Sequence, residues 1–253
     1  MNANYKKLGK NTLLFGLGSF AQKVMSFVFV PFYTAVLTTS DYGISDLIIT
    51  ICSLIWPVFT LLIDDAALRF SLDKGADKKQ IISIGLYINV LGLLLMLVMS
   101  PIILLVDELR PYYFLFVLYY FAHMIQSFFS YALRGLEKTK LFSLSGVISS
   151  ALAIVGNLVF LLGFKAGVVG YLLSFIIAYM ITGVIQFVAG GFWKYIIAPN
   201  RLNKSQISSM VRYAIPLIPN SISWWVSNSS DKVILSMICG VAVNGVYAVA
   251  YKI

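Results

Sequence analysis

The sequence predicts an all-α, polytopic membrane bundle: seven complete transmembrane helices, a truncated eighth, and a cytoplasmic N-terminus. Three observations carry that expectation. First, 60% of the 253 residues are hydrophobic and only 11% are charged, with a mean hydropathy of +0.89, whereas a soluble domain is roughly 45–50% apolar and about 25% charged. No soluble sphere of this size can hide so much apolar surface, so lipid must solvate much of it. Second, nearly charge-free runs of the length a bilayer demands, about 20 residues, recur along the chain between short charged loops. The runs are continuously apolar, which argues for helices; barrel strands alternate apolar with polar residues. Third, the basic residues fall in every other loop.

Taken in order, the spans are expected at 11–37, 44–68, 81–106, 112–133, 142–164, 167–192 and 212–238, with the eighth beginning at 246. The first is too long for a signal-peptide core and has no small-residue cleavage site after it, so it belongs to the mature protein. With the N-terminus inside, the loops on that side carry Lys6, Lys7 and Lys10, then Arg69, Lys74, Lys78 and Lys79, then Arg134, Lys138 and Lys140, then Lys194, Arg201, Lys204 and Arg212. The opposite loops carry only Arg110 and Lys165, beside Asp41, Asp107 and Glu108. That asymmetry sets the orientation. It also explains the net charge of +9 without nucleic acid, and makes anionic headgroups the default partner of the basic loops. Cys52 and Cys239 sit in or beside apolar spans and read as small hydrophobes. No metal motif or catalytic constellation is present, and no cofactor is expected.

Setting residue n beside n+202 pairs Lys10 with Arg212, Ser19 with Ser221 and Gly43 with Gly245. In both copies a basic residue opens a long span, and a short glycine-containing loop enters the next. Six spans separate the two starts, the pattern of parallel transporter repeats. The organisation expected is a six-helix bundle over 1–192, a cytoplasmic linker over 193–211 and the start of a second bundle over 212–253. A chain ending about eight residues into a span reads as a fragment.

Ionisable groups inside a span are costly and therefore point to function. In the first span Ser19, Gln22, Lys23 and Ser26 share one helical face, with Lys23 near the middle as an anchor for an anionic group; pairing with an acidic residue elsewhere, or snorkelling, is the alternative. In the fourth span Tyr119, His123, Gln126, Ser127 and Ser130 share a face, where His123 either relays protons or donates to a phosphate, or simply packs. In the second span the i,i+4 spacing of Asp65 and Arg69 suggests a structural ion pair. Asp64 continues the face of Ser53, Pro57 and Thr60 and is the candidate for cavity lining or ion coupling. In the seventh span Ser221, Trp225, Asn228 and Lys232 stack, with Asp231 adjacent; Trp224 and Trp225 offer aromatic planes to sugar rings or, equally, to a neighbouring helix. Gly170, Ser174, Ala178 and Thr182 recur every four residues for close helix packing. Pro31, Pro57, Pro216 and Pro219 should kink or interrupt spans.

The stretch LGKNTLLFGLGSFAQKVMSFVFVPFYTAVLTTSDYGISDL, with Asp41-Tyr42-Gly43 at the first external turn, resembles the polysaccharide transporter branch of the multidrug/oligosaccharidyl-lipid/polysaccharide flippase superfamily, the group containing O-antigen flippases. Tyr213 to Ile253 resembles the start of that family's second half, and Arg134-Gly135 after the fourth span fits its pattern. The resemblance implies two helical bundles around a central cavity in a bacterial cytoplasmic membrane, moving a polyprenyl-diphosphate-linked oligosaccharide outward by alternating access. It implies a substrate cavity for which Lys23, Gln22, Ser19, Ser26, His123, Gln126, Asn228 and Trp225 are the candidates. It also implies coupling to a proton or sodium gradient, for which Asp64, Asp231 and His123 are the candidate carriers. The competing readings are a multidrug/cation antiporter of the same superfamily, a membrane-embedded transferase and a non-transporting scaffold. A mid-span lysine opposes the antiporter, and loops of a few residues oppose the transferase.

Overall fold

Hydropathy dictates helices, and helices are what the chain forms. A computed structural model describes residues 29–251; among them every regular element is helical. The polar face of Ser19, Gln22, Lys23 and Ser26 lies outside the described residues. Residues 29–36 (α1) are helical and lead through a short turn into α2 (Thr39–Phe59). The turn is fixed locally: Thr38 caps α2, its hydroxyl oxygen accepting from the Asp41 amide at 3.1 Å while the hydroxyl donates to the Asp41 carboxylate at 2.7 Å. Such caps satisfy amides that the first helical turn leaves open.

The following elements are α3 (Ile63–Ser71), α4 (Lys78–Met99), α5 (Tyr113–Gly135), α6 (Thr139–Asn157), α7 (Gly167–Gly190), α8 (Lys204–Ala214), α9 (Leu217–Cys239) and α10 (Val241–Tyr251). A 3₁₀ segment, Ser100–Leu105, prolongs α4, and a π-helical turn, Leu158–Gly163, prolongs α6. Among the described residues five helices, counting these extensions, are long and apolar enough to cross a membrane. Two predicted spans therefore differ from expectation. The one drawn over 44–68 is interrupted after Phe59, and the one drawn from 212 begins only at Leu217, because Pro216 and Pro219 separate it from α8. The α9 helix has the length of a span at 23 residues but carries too many polar groups to stand among the five.

The helices sort by what surrounds them. On α4, Leu91, Leu94, Leu95 and Val98 are all more than half exposed, an apolar face that only acyl chains solvate well. Inside, α7 packs on α5 and α6, and α10 and α9 both pack on α2. Gly170, Ser174, Ala178 and Thr182 are buried along α7, with Ser174 lying against Gly156 of α6. Gln186 donates to Ser130 and Ser145, each at 2.9 Å, tying α7 to α5 and α6; interhelical hydrogen bonds of this kind hold bundles together in lipid.

The segment expected as a linker is strapped down. Gln80, Ser83 and Tyr87 share one face of α4 and bind its backbone: Gln80 donates to the Arg201 carbonyl (2.9 Å) and accepts from the Asn203 amide (3.1 Å). Ser83 donates to the Tyr195 carbonyl (2.8 Å) and accepts from the Ile197 amide (2.9 Å), and Tyr87 donates to the Ile197 carbonyl (3.0 Å). Beyond the strap, α8 buries Met210 and Ala214 against Ile63, Ala66 and Ala67 of α3 and Ile81 and Ile84 of α4. The chain entering α9 is thus seated on α3 before it turns.

Candidate functional site

The interruption of the second span creates the site. Pro57 removes one backbone hydrogen bond from α2, and three residues later Thr60 ends the helix, its hydroxyl donating to the Trp56 carbonyl (2.8 Å) and accepting from the Leu62 amide (3.2 Å). Leu61 and Leu62 then take left-handed backbone angles, φ 52° and 49°. For leucine this is uncommon backbone. Two such residues in succession redirect the chain, so that Asp64 and Asp65 open the first turn of α3. Irregular backbone at membrane depth is tolerated where it is buried in protein or lines a cavity.

A cavity of about 420 Å³ lies here, lined by Trp56, Leu62, Asp64, Asp65, Tyr131, Leu217, Asn220, Ser221 and Trp224. Its walls come from α2, α3, α5 and the beginning of α9, and it sits at the end of the bundle that carries the basic loops. Three aromatic faces, two carboxylates, an amide and a hydroxyl converge on it.

Asp64 is 2% exposed. It accepts from the Asn89 amide nitrogen at 2.8 Å and from the Ser127 hydroxyl at 3.4 Å, and it has no ion-pair partner among the described residues. A buried carboxylate without a cation is costly to keep charged. The ion pair expected between Asp65 and Arg69 does not form: Arg69 pairs with Asp73, one turn further on. Arg69 lies at the exposed end of α3, so it turns toward the solvated carboxylate instead of back along the helix toward the cavity wall.

The other candidates separate. His123 stands one layer behind the cavity, its ring 4.8 Å from Trp56, 6.1 Å from Tyr119 and 5.5 Å from Tyr179. Gln126 donates to Ser130 at 3.2 Å and so joins the interhelical network. Trp225 is buried, its indole N–H donating to the Thr50 carbonyl (3.0 Å) and the Ser53 hydroxyl (3.1 Å) of α2. The cavity receives its neighbour Trp224 instead, 69% exposed. Asn228 donates back to the Trp224 carbonyl at 2.7 Å. Asp231 accepts from the Tyr247 hydroxyl. Of the residues singled out on the fourth and seventh spans, Ser221 lines the cavity and Ser127 reaches its wall through Asp64, whereas His123, Gln126, Trp225, Asn228 and Asp231 do not line it.

One ionisable residue escaped the sequence reading. Asp46 of α2 is 7% exposed and pairs with Lys232 of α9, Nζ standing 3.2 Å from Oδ1 and 3.1 Å from Oδ2. Just above it α2 and α10 touch backbone to backbone. A Cβ on Gly43 would fall 1.8 Å from the Val241 carbonyl oxygen, and one on Gly245 would fall 1.9 Å from the Thr39 carbonyl oxygen.

A multi-pass helical bundle with lipid-facing apolar helices, a polar cavity and charges buried between helices is an integral membrane protein. Residues 8–253 match the family described as polysaccharide biosynthesis protein, and the chain belongs to that family. It is similar to the uncharacterized membrane protein MJ1375 of Methanocaldococcus jannaschii, 25% identical over 267 residues covering 95% of this chain. The chain spans 61% of the length of that curated relative. No solved structure matches it.

Proposed function

We propose that the protein is a flippase, not an enzyme, that moves a polyprenyl-diphosphate-linked oligosaccharide from the cytoplasmic to the outer leaflet by alternating access. In this reading the basic loops are cytoplasmic, seven spans and the start of an eighth are present, and the membrane is the cytoplasmic one. The observation that carries it is the cavity of α2, α3, α5 and α9, which sits at the basic end in a member of a polysaccharide biosynthesis family. Trp56, Tyr131 and Trp224 suit stacking on sugar rings, and Asn220 and Ser221 suit hydrogen bonds to their hydroxyls. Asp64 is the coupling group: a buried carboxylate beside two neutral donors takes up a proton or a monovalent cation as the cavity changes exposure. Lys23 supplies the cation for the diphosphate.

The acidic and aromatic lining also favours a second reading, a cation antiporter, since carboxylates with aromatic faces bind organic cations. Reconstitution separates the two. Protein in liposomes carrying a polyprenyl-diphosphate oligosaccharide in both leaflets is supplied with a membrane-impermeant glycosidase. Flipping exposes the inner pool to digestion, and Lys23→Ala is expected to slow this at least tenfold at equal insertion. Digestion confined to the outer leaflet's pool, with gradient-driven export of a cationic dye, contradicts the flippase and supports the antiporter. Normal flipping by Lys23→Ala removes the anionic-anchor role.

A further inference from the structure

The pairs Gly43–Gly245 and Thr39–Val241 share one offset, 202 residues, the offset of the internal repeat. Each glycine faces the carbonyl four residues before the other. Such a contact is its own image under exchange of the two helices, as in an isologous interface, and it places a local two-fold axis between α2 and α10. Only glycine allows backbones so close, where Cα–H groups meet carbonyl oxygens. Around that point several polar contacts cross between the first repeat and the second, beside the Tyr247–Asp231 bond that stays within the second. The Asn244 amide donates to the Gly43 carbonyl at 3.2 Å, Lys232 grips the Asp46 carboxylate, and Trp225 donates to Thr50 and Ser53. The ammonium of Lys232 also lies 5.3 Å from the Tyr251 ring centre.

The position of this seam matters as much as its composition. Asp46 lies seven residues into α2 and Lys232 seven before the end of α9, so the pair stands ~10 Å below the short-loop ends of both helices. The cavity lies toward the opposite end of the same helices. At one end α2 is closed against α9 and α10, with a smaller cavity of about 150 Å³ beside the crossing between α1, α2 and α10; the larger cavity lies at the other end.

We infer that Asp46 and Lys232, seated under the Gly43–Gly245 crossing, form the lock that holds the outer end of the substrate pathway shut while the cavity faces the cytoplasm. The inference rests on the alternating-access reading and adds the residues of the outer gate. Opening outward parts α2 from α9 and α10, which separates the Asp46–Lys232 pair and exposes the seam. The ion pair suits a reversible closure: the same two groups attract when dry and are hydrated when apart, whereas an apolar seam would resist wetting. Removing either partner leaves the other charge buried and uncompensated, so each single neutral substitution favours the open seam.

The test reads conformation without substrate. Ala248 of α10 is fully buried in this seam; Ala248→Cys in a background with Cys52→Ser and Cys239→Ser reports its exposure to a membrane-impermeant maleimide added from the outside. With Asp46 and Lys232 intact, labelling is expected to be slow. Asp46→Asn or Lys232→Gln is expected to speed it at least tenfold, and the exchanged pair Asp46→Lys with Lys232→Asp to restore the slow rate. Unchanged labelling in both neutral variants overturns the lock. Fast labelling that the exchanged pair does not slow, at a preserved Tm, also overturns it, since pairing is then not what closes the seam. Because no lipid-linked saccharide is present, neither outcome depends on the identity of the cargo.

Discussion

Alanine in place of Gly43 is expected to destabilise the protein by about 3 kcal/mol, the upper end of the range for overpacking a tight site. The sign is the informative part. Gly43 lies inside α2, where intrinsic helix propensity alone favours alanine over glycine by ~1 kcal/mol. The added methyl would stand 1.8 Å from a carbonyl oxygen of α10, and that oxygen belongs to backbone, with no rotamer to relieve the clash. The helices must part, and Asn244 then loses its bond to the Gly43 carbonyl. Gly245→Ala is expected to behave alike, because its methyl meets the Thr39 carbonyl oxygen at 1.9 Å. Gly163→Ala, whose methyl meets nothing within 4 Å, serves as the neutral control. Thermal unfolding in detergent reads all three; a Tm for Gly43→Ala at or above that of the unaltered protein would refute the tight crossing.

Asparagine at Asp64 is expected to separate stability from transport. The side chain keeps its shape: its amide oxygen still accepts from Asn89, and its NH2 group takes the place of the oxygen facing Ser127, whose hydroxyl oxygen can accept from it. What disappears is a buried charge with no cationic partner, and replacing such a charge with a neutral group is stabilising or neutral. The Tm should therefore hold or rise by a few degrees. Gradient-driven transport should fall at least tenfold, because in the proposed flippase the cavity then lacks the group assigned to take up the coupling ion. A structural Asp64 would give the opposite pattern, with Tm and transport falling together. Full gradient-driven transport by Asp64→Asn excludes it as the carrier.

The spans were legible because lipid imposes composition on every helix it touches. Long apolar runs and alternating basic loops carry that information locally, and α4, α5 and α7 follow it closely. The interruption at Leu61 and Leu62 was not legible. Both residues are apolar, and nothing in the local pattern distinguishes a left-handed leucine from a helical one; Pro57 was the only nearby signal. The strap over 193–203 was hidden for another reason. Gln80, Ser83 and Tyr87 display their shared face in the sequence, but their partners are backbone groups more than a hundred residues away.

Among the charges, the sequence singled out Asp64 as a candidate for cavity lining or ion coupling; the structure places it in a cavity wall, and the fold added Asn89 from a helix whose polar residue drew no attention. Asp46 drew no comment. Its signal was available: Gly43, Asp46 and Thr50 lie at offsets that share one face of α2, the face now met by α9 and α10. Lys232 was read as part of a stack with Trp225, and its partner could come only from the packing of α9 on α2. Gly43 with Gly245 stood out as one of the few matches in the expected repeat, and the close backbone crossing gives that pairing a physical reason.

The central claim is that the cavity at the basic end receives a lipid-linked saccharide. Asn220 lines it without belonging to the seam, so Asn220→Cys, with Cys52→Ser and Cys239→Ser, places a reporter in its wall. In proteoliposomes, an impermeant maleimide presented to the basic-loop face should label this cysteine rapidly. A polyprenyl-diphosphate oligosaccharide should slow that labelling at least fivefold, while the polyprenyl diphosphate without its glycan protects less. Protection by the glycan-bearing lipid is the result the account predicts; equal labelling with and without it would contradict the account.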